Sequence, residues 1–196
     1  MNLFEVRQTV KMSGIDLPGR VLDVGGGGEG IIGRLLGERA ISIDKWSKEL
    51  TEAREAGSAA LMIEMDATDM RFLDESFDAC AAFFSLMYME PDDQEKVFKE
   101  AWRVLKRGAD FWVWDIAIPP RGDREEDVFV VWLDVEMHGR SVRAGYGAPW
   151  ARKQQDLAGF RHHACAAGFE PLEIRQDDQV ILMRLRKPPG PETPVA

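Results

Sequence analysis

The stretch Val21–Gly30, VLDVGGGGEG, decides the fold. Val21, Leu22 and Val24 around Asp23 make a short buried strand, and four consecutive glycines end it. Behind them Ile31, Ile32, Leu35 and Leu36 recur at helical spacing. The order is strand, bare turn, helix. A turn without Cβ atoms lets a ligand lie directly against the main chain.

The same alternation continues outward. Ala40–Ile43 reads as a second strand ending at Asp44, Lys48–Gly57 as a helix, and Leu61–Met65 as a third strand ending at Asp66. Phe77–Phe84 is apolar throughout, as a parallel strand covered on both faces should be. Asp92 and Glu95 resemble a capping box ahead of the stripe Val97, Phe98, Ala101, Trp102 and Leu105. Gly108 is expected to close that helix as a left-handed cap, before a fifth strand at Phe111–Ile118. Short apolar strands alternating with helices predict an α/β fold built on a doubly wound, mostly parallel sheet.

The pattern breaks after Pro119. Val128–Glu136 is apolar and β-branched, and Ser141–Tyr146 is expected to return antiparallel around His138 and Gly139, an inserted hairpin at about 128–146. Phe160–Ala167 reads as a helix capped by Gly168, and Leu172–Arg175 with Val180–Arg186 as a closing antiparallel hairpin. At the front, Phe4–Met12 reads as a short leading helix. Residues 1–187 are expected to form one domain, and 188–196 a Pro-rich disordered tail.

The net charge of −9 repels phosphate backbones, so nucleic-acid binding is not expected. No apolar run reaches the roughly 18 residues of a membrane helix, so no membrane partner is expected either. Cys80 and Cys165 read as reduced thiols of a cytoplasmic protein, with no metal-site spacing. His162 and His163 point to different sides of a helix.

Two kinds of adenosyl ligand fit the glycines. Gly25, Gly27 and Gly30 satisfy the dinucleotide fingerprint G-x-G-x-x-G, and Asp44 lies where an acid would bind a ribose in either case. Three features argue against a dinucleotide. Asp23 would face a pyrophosphate and repel it, whereas it suits a ligand with an ammonium group, such as S-adenosylmethionine. Asp66, in MIEMDATDM, can accept from an adenine amino group while the Ala67 N–H meets a ring nitrogen. The chain also ends in a helix and an antiparallel hairpin.

On these motifs the sequence resembles the class I S-adenosylmethionine-dependent methyltransferases. VLDVGGGGEG looks like their first motif, ISIDKW their second, MDATDM their adenine motif and FDACAAFFSLMYM their fourth strand. PDDQEKVFKEAWRVLKRGADFWVWD looks like the following helix and fifth strand. The resemblance covers about Gly19–Lys187. It implies a three-layer αβα, Rossmann-like fold with seven strands in the order 3-2-1-4-5-7-6, the seventh antiparallel. It also implies S-adenosylmethionine as cofactor, with Asp23, Gly25, Gly26 and Gly27 at the methionyl end, Asp44 and Lys45 at the ribose, and Asp66 and Ala67 at the adenine. Trp46 would cover the adenine or ribose face. Phe84 and Ser85 belong to the stretch at the end of the fourth strand that usually faces the reactive methyl. One departure stands out. The family's glycine spacing places a glycine at position 29, where this chain has Glu29, which either faces solvent or helps Asp23 hold the ammonium group.

FFSLMYM replaces the [N/D/S]-P-P-[Y/F/W] motif of enzymes that methylate base or amide nitrogens, which favours a small-molecule acceptor. Tyr88, His138, Arg140 and Tyr146 are candidate substrate contacts, with Arg140 or Arg143 clamping an anion, or solvated instead. No catalytic residue is singled out, since methyl transfer to sulfur or phenolate mainly needs alignment. A protein methyltransferase, a non-catalytic cofactor-binding module and an NAD(P)-binding oxidoreductase stand as alternatives, and the hairpin offers a homodimer surface.

Overall fold

The computed structural model describes residues 2–137 and 139–190. The chain opens with β1 (Leu3–Lys11), then β2 (Val21–Val24), α1 (Ile31–Leu36), β3 (Ala40–Asp44), α2 (Ser47–Glu55) and β4 (Leu61–Glu64). It continues through β5 (Phe77–Phe83), α3 (Pro91–Val104) and β6 (Leu105–Ile116), followed by β7 (Val128–Met137) and β8 (Arg140–Pro149). The last elements are α4 (Leu157–Ala167), β9 (Glu170–Asp177) and β10 (Val180–Arg186).

Seven strands form one sheet in the order β4-β3-β2-β5-β6-β10-β9. Neighbours from β4 to β6 are parallel, and β10 runs antiparallel to both β6 and β9. In chain order this is the 3-2-1-4-5-7-6 arrangement that the resemblance implies. β2 and β5 lie at its centre and are buried almost end to end, so their sequences are nearly all apolar. The order reverses direction between β2 and β5, which opens a crevice at the carboxyl ends of the central strands.

One face is covered by α3 and α4, whose Val97, Phe98, Ala101 and Phe160 pack with Leu22, Cys80, Phe111 and Ile181. The other face carries Ile31 and Ile32 of α1 together with a second sheet, in the order β1-β7-β8. The inserted hairpin is present and extends to Pro149, past the predicted 146. Its inner residues Phe129, Val131, Leu133 and Val135 alternate with exposed Trp132, Asp134 and Glu136.

The leading helix is not formed. Residues 3–11 are a strand, paired parallel to β7 from Leu3↔Val128 to Lys11↔Glu136. Phe4, Val6 and Val10 turn toward the core at a period of two, and Phe4 packs on Phe129 and Trp150. Two smaller expectations also shift. α3 starts on Pro91 at its first turn, with Glu90 rather than Asp92 at the cap and no side-chain capping bond. Gly108 has the predicted positive φ of 78°, but it lies where the β5–β6 register slips between Phe77↔Leu105 and Ala79↔Asp110 rather than at the helix cap. α4 is capped as expected by Gly168, and at its start Asp156 accepts from the Gly159 N–H at 2.8 Å.

Candidate cofactor site

A cavity of about 970 Å³ lies at the carboxyl ends of β2, β3, β4 and β5. Its floor is the glycine turn. A Cβ on Gly25 would overlap the Cβ of Ser85, and Gly25 holds a φ of +68°. A Cβ on Gly26 would run into the Asp23 carboxylate, and one on Gly27 into Asp44 and Glu49. The turn is pinned by Gly26 N–H to Ile43 O at 3.0 Å and Gly28 N–H to Glu49 O at 2.9 Å. Backbone and carboxylates therefore converge where only glycine fits.

Three acids follow one another around the cavity. Asp23 is buried and accepts from Ser42 Oγ at 2.7 Å. Its burial pushes the carboxyl up to about 7. Asp44, at the end of β3, accepts from the Trp46 N–H at 3.0 Å, and burial raises its pKa. Asp66, exposed after β4, accepts from Thr68 N–H at 2.8 Å and Oγ1 at 2.7 Å, bonds that hold its pKa low. Ala67 is buried beside it. Trp46 is 62% exposed at the rim, with Lys45 Nζ 5.4 Å from its ring centre. All of these residues line the one cavity.

The other end is aromatic. Phe84 leaves β5 with a φ of 50°, and Ser85 Oγ donates to Val24 O at 2.7 Å. Tyr146 of β8 stacks on Phe84 with ring centres 5.2 Å apart. The outer edge of β8 closes over this end through two backbone donors. Gly145 N–H reaches Glu29 Oε1 at 3.2 Å, and Gly147 N–H reaches the Tyr88 hydroxyl at 3.3 Å. The Tyr88 ring is half exposed, but its hydroxyl is enclosed at that contact, and burial pushes its pKa up to about 12. Burial, with the Glu29 carboxylate nearby, pushes the Tyr146 hydroxyl well above its ordinary value.

The candidates thus divide. Asp23, Gly25, Gly26, Gly27, Asp44, Lys45, Trp46, Asp66, Ala67, Phe84, Ser85, Tyr88 and Tyr146 are brought together. Arg140 is not. It begins β8 at the hairpin tip, paired with Met137, five residues along the strand from Gly145. Arg143 is exposed and lies 3.5 Å from Asp134. His138 lies outside the described residues.

Sequence reasoning did not single out Asp115, although WVWD ends on it. This carboxylate is fully buried on β6 and accepts from the Leu86, Met87 and Ile116 N–H groups and from Gln155 Nε2, at 2.7–3.2 Å. Burial pushes its pKa up to about 7, yet four N–H donors leave no acceptor position open for a proton. It holds the turn Leu86–Tyr88 that carries the aromatic end.

Residues 22–113 match the family model described as a methyltransferase domain. That match, with the likenesses below, supports the class I S-adenosylmethionine-dependent methyltransferase family. The matched span runs from the first strand of the central sheet to the middle of β6 and holds every cavity acid named above. A curated relative, sterol methyltransferase-like 1 of Botryococcus braunii, is 31% identical over 101 residues, 52% of this chain. The chain spans 25% of that relative's length. Among solved structures, a methyltransferase from Methanosarcina mazei superposes with a TM-score of 0.67 at 19% identity, covering 89% of this chain and 95% of its own. The [4+2]-cyclase SpnF superposes with a TM-score of 0.62 at 19% identity, over 90% and 78%. These likenesses are of fold. That family implies S-adenosylmethionine as cofactor, and the residues of the site fit it. Its glycines leave space that Cβ atoms would fill, and Asp23 is a buried carboxylate that makes no ion pair among the described residues.

Proposed function

We propose that this protein transfers a methyl group from S-adenosylmethionine to a small-molecule acceptor. The observation that carries the reading is the division of one cavity into an acidic end under the glycine turn and an aromatic end closed by β8. Its 970 Å³ is at the top of the range of small-ligand sites, roughly 300–1,000 Å³, room for a nucleoside-sized cofactor and a modest acceptor.

The cofactor supplies an activated methyl on a cationic sulfur. The chain's residues do the rest. Asp23 faces the amino-acid end, where an ammonium group offsets the cost of its buried charge. Asp44 accepts from ribose hydroxyls, and Asp66 with the Ala67 N–H reads the adenine edge. Phe84, Tyr88 and Tyr146 present ring faces toward a soft cation and exclude water from the transfer. With alignment supplying most of the acceleration, no general base is required of an acceptor that is already nucleophilic.

The test is turnover. The protein with S-adenosylmethionine and a set of amines, thiols and phenols should release S-adenosylhomocysteine, and Asp44→Ala should lower that rate at least tenfold by weakening cofactor binding. Cofactor binding with no turnover on any small acceptor would overturn the small-molecule reading in favour of a protein acceptor or a non-catalytic module. SpnF, on the same fold, is a cyclase, so release of the demethylated product is the decisive readout.

A further inference from the structure

We propose that the acceptor is an amine, bound as a cation at the aromatic end of the cavity and held there by Glu29. The inference rests on the methyl-transfer reading and deepens it.

The first ground is the charge of the cavity. Eight carboxylates and one basic residue, Lys45, line it. Asp23, Asp44 and Asp66 are assigned to the cofactor. Glu52, Glu90 and Asp93 carry their own ion pairs, with Lys48 at 3.1 Å, Lys153 at 3.0 Å and Lys96 at 2.8 Å. Glu49 sits against Gly27 and Asp44, on the ribose side. Glu29 alone is left at the aromatic end, and it makes no ion pair among the described residues.

The second ground is what surrounds it. Glu29 accepts from the Gly145 N–H at 3.2 Å, so the hairpin holds it beside the Phe84–Tyr146 stack. Phe83 completes the wall, 5.0 Å from Phe84 and 6.3 Å from Tyr146 between ring centres. Tyr88 also lines this end, its hydroxyl accepting from the Gly147 N–H. Aromatic faces beside one carboxylate select an organic cation and reject a carboxylate or phosphate. The cationic candidates Arg140 and Arg143 lie on the hairpin away from the cavity lining, so among the described residues none at this end is placed to clamp an anion.

The chemistry balances for a primary or secondary amine. The bound ammonium loses one proton to solvent. The freed nitrogen lone pair forms the N–C bond while the C–S bond breaks toward sulfur. The products are the methylated ammonium, still paired with Glu29, and neutral S-adenosylhomocysteine.

Three probes of one shape separate the possibilities: phenethylamine, phenethyl alcohol and phenylacetate. Each is titrated into the protein saturated with S-adenosylhomocysteine, and each is assayed for methylation with S-adenosylmethionine. The amine should bind at least tenfold tighter than the other two and be the one methylated. Glu29→Gln should lower amine affinity about tenfold, the worth of one partly screened ion pair. S-adenosylhomocysteine affinity should change less than twofold. Equal binding of the three probes, preference for the alcohol or the carboxylate, or binding of none would overturn the proposal. So would a Glu29→Gln protein that keeps its amine preference but loses S-adenosylhomocysteine, because Glu29 would then serve the cofactor's own ammonium. Failure of the underlying reading has a different signature, no S-adenosylhomocysteine binding by the unaltered protein.

Discussion

Asp23 and Asp115 show how much a carboxylate depends on its donors. Both are buried, and in both burial pushes the pKa up to about 7. An acid whose pKa rises on folding stabilises the fold fully below its unfolded value and loses that contribution as pH climbs through the folded value. Through Asp23 the apoprotein should therefore lose stability between about pH 4 and 7, by as much as a few kcal/mol. Asp23 has one side-chain donor, Ser42, so Asp23→Asn should raise the apoprotein's Tm at about pH 8 and flatten that decline, as thermal melts across pH will show. Cofactor binding must then ionise Asp23. Near pH 6.5, S-adenosylhomocysteine should bind with release of up to about one proton, seen as a heat that changes with the buffer's ionisation enthalpy. That dependence should vanish in Asp23→Asn, which should also bind more weakly. Asp115 behaves oppositely because four N–H groups point at it. An asparagine there offers one acceptor oxygen and turns two hydrogens on those donors. Asp115→Asn should cost about 2–4 kcal/mol in chemical denaturation and loosen the Leu86–Tyr88 turn.

At the scale of elements, the central sheet was legible because each strand carries its own apolar run and each crossover its own helical stripe. VLDV, AISI and FDACAAF are buried on both sides and look it. β1 was misread as a helix for the converse reason. LFEVRQTVK is short, Gln8 interrupts its alternation, and the partner that makes it a strand is β7, more than 120 residues away. The same distance hid the setting of Glu29. Its departure from the glycine pattern is visible in the chain, but its contact is a backbone N–H on β8, 116 residues on. Asp44 and Asp66 were legible because one ends β3 and the other follows β4, where the fold puts ligand contacts. The second sheet yields its own test. Gly145 leaves room for the Trp132 ring, whose Nε1 donates to Glu5 at 2.8 Å and so joins all three strands. Gly145→Val should drive that ring aside, lower the Tm by several degrees and weaken ligand binding at the aromatic end more than at the adenine.

Taken whole, the molecule sets a negatively lined crevice in a chain of net charge −9. Such a crevice draws in a ligand with a sulfonium and an ammonium and opposes one with a pyrophosphate. The glycine fingerprint alone does not separate the two, because bare backbone serves either. The separation comes from where the fold puts carboxylates: one under the turn, one at the end of β3 and one after β4. The measurement that tests this most directly is calorimetric titration with S-adenosylmethionine, S-adenosylhomocysteine, NAD and NADP, repeated on Asp44→Ala and Asp66→Ala. Micromolar binding of the first two alone is expected, weakened about tenfold or more by each substitution. Binding of NAD or NADP in their place would contradict it.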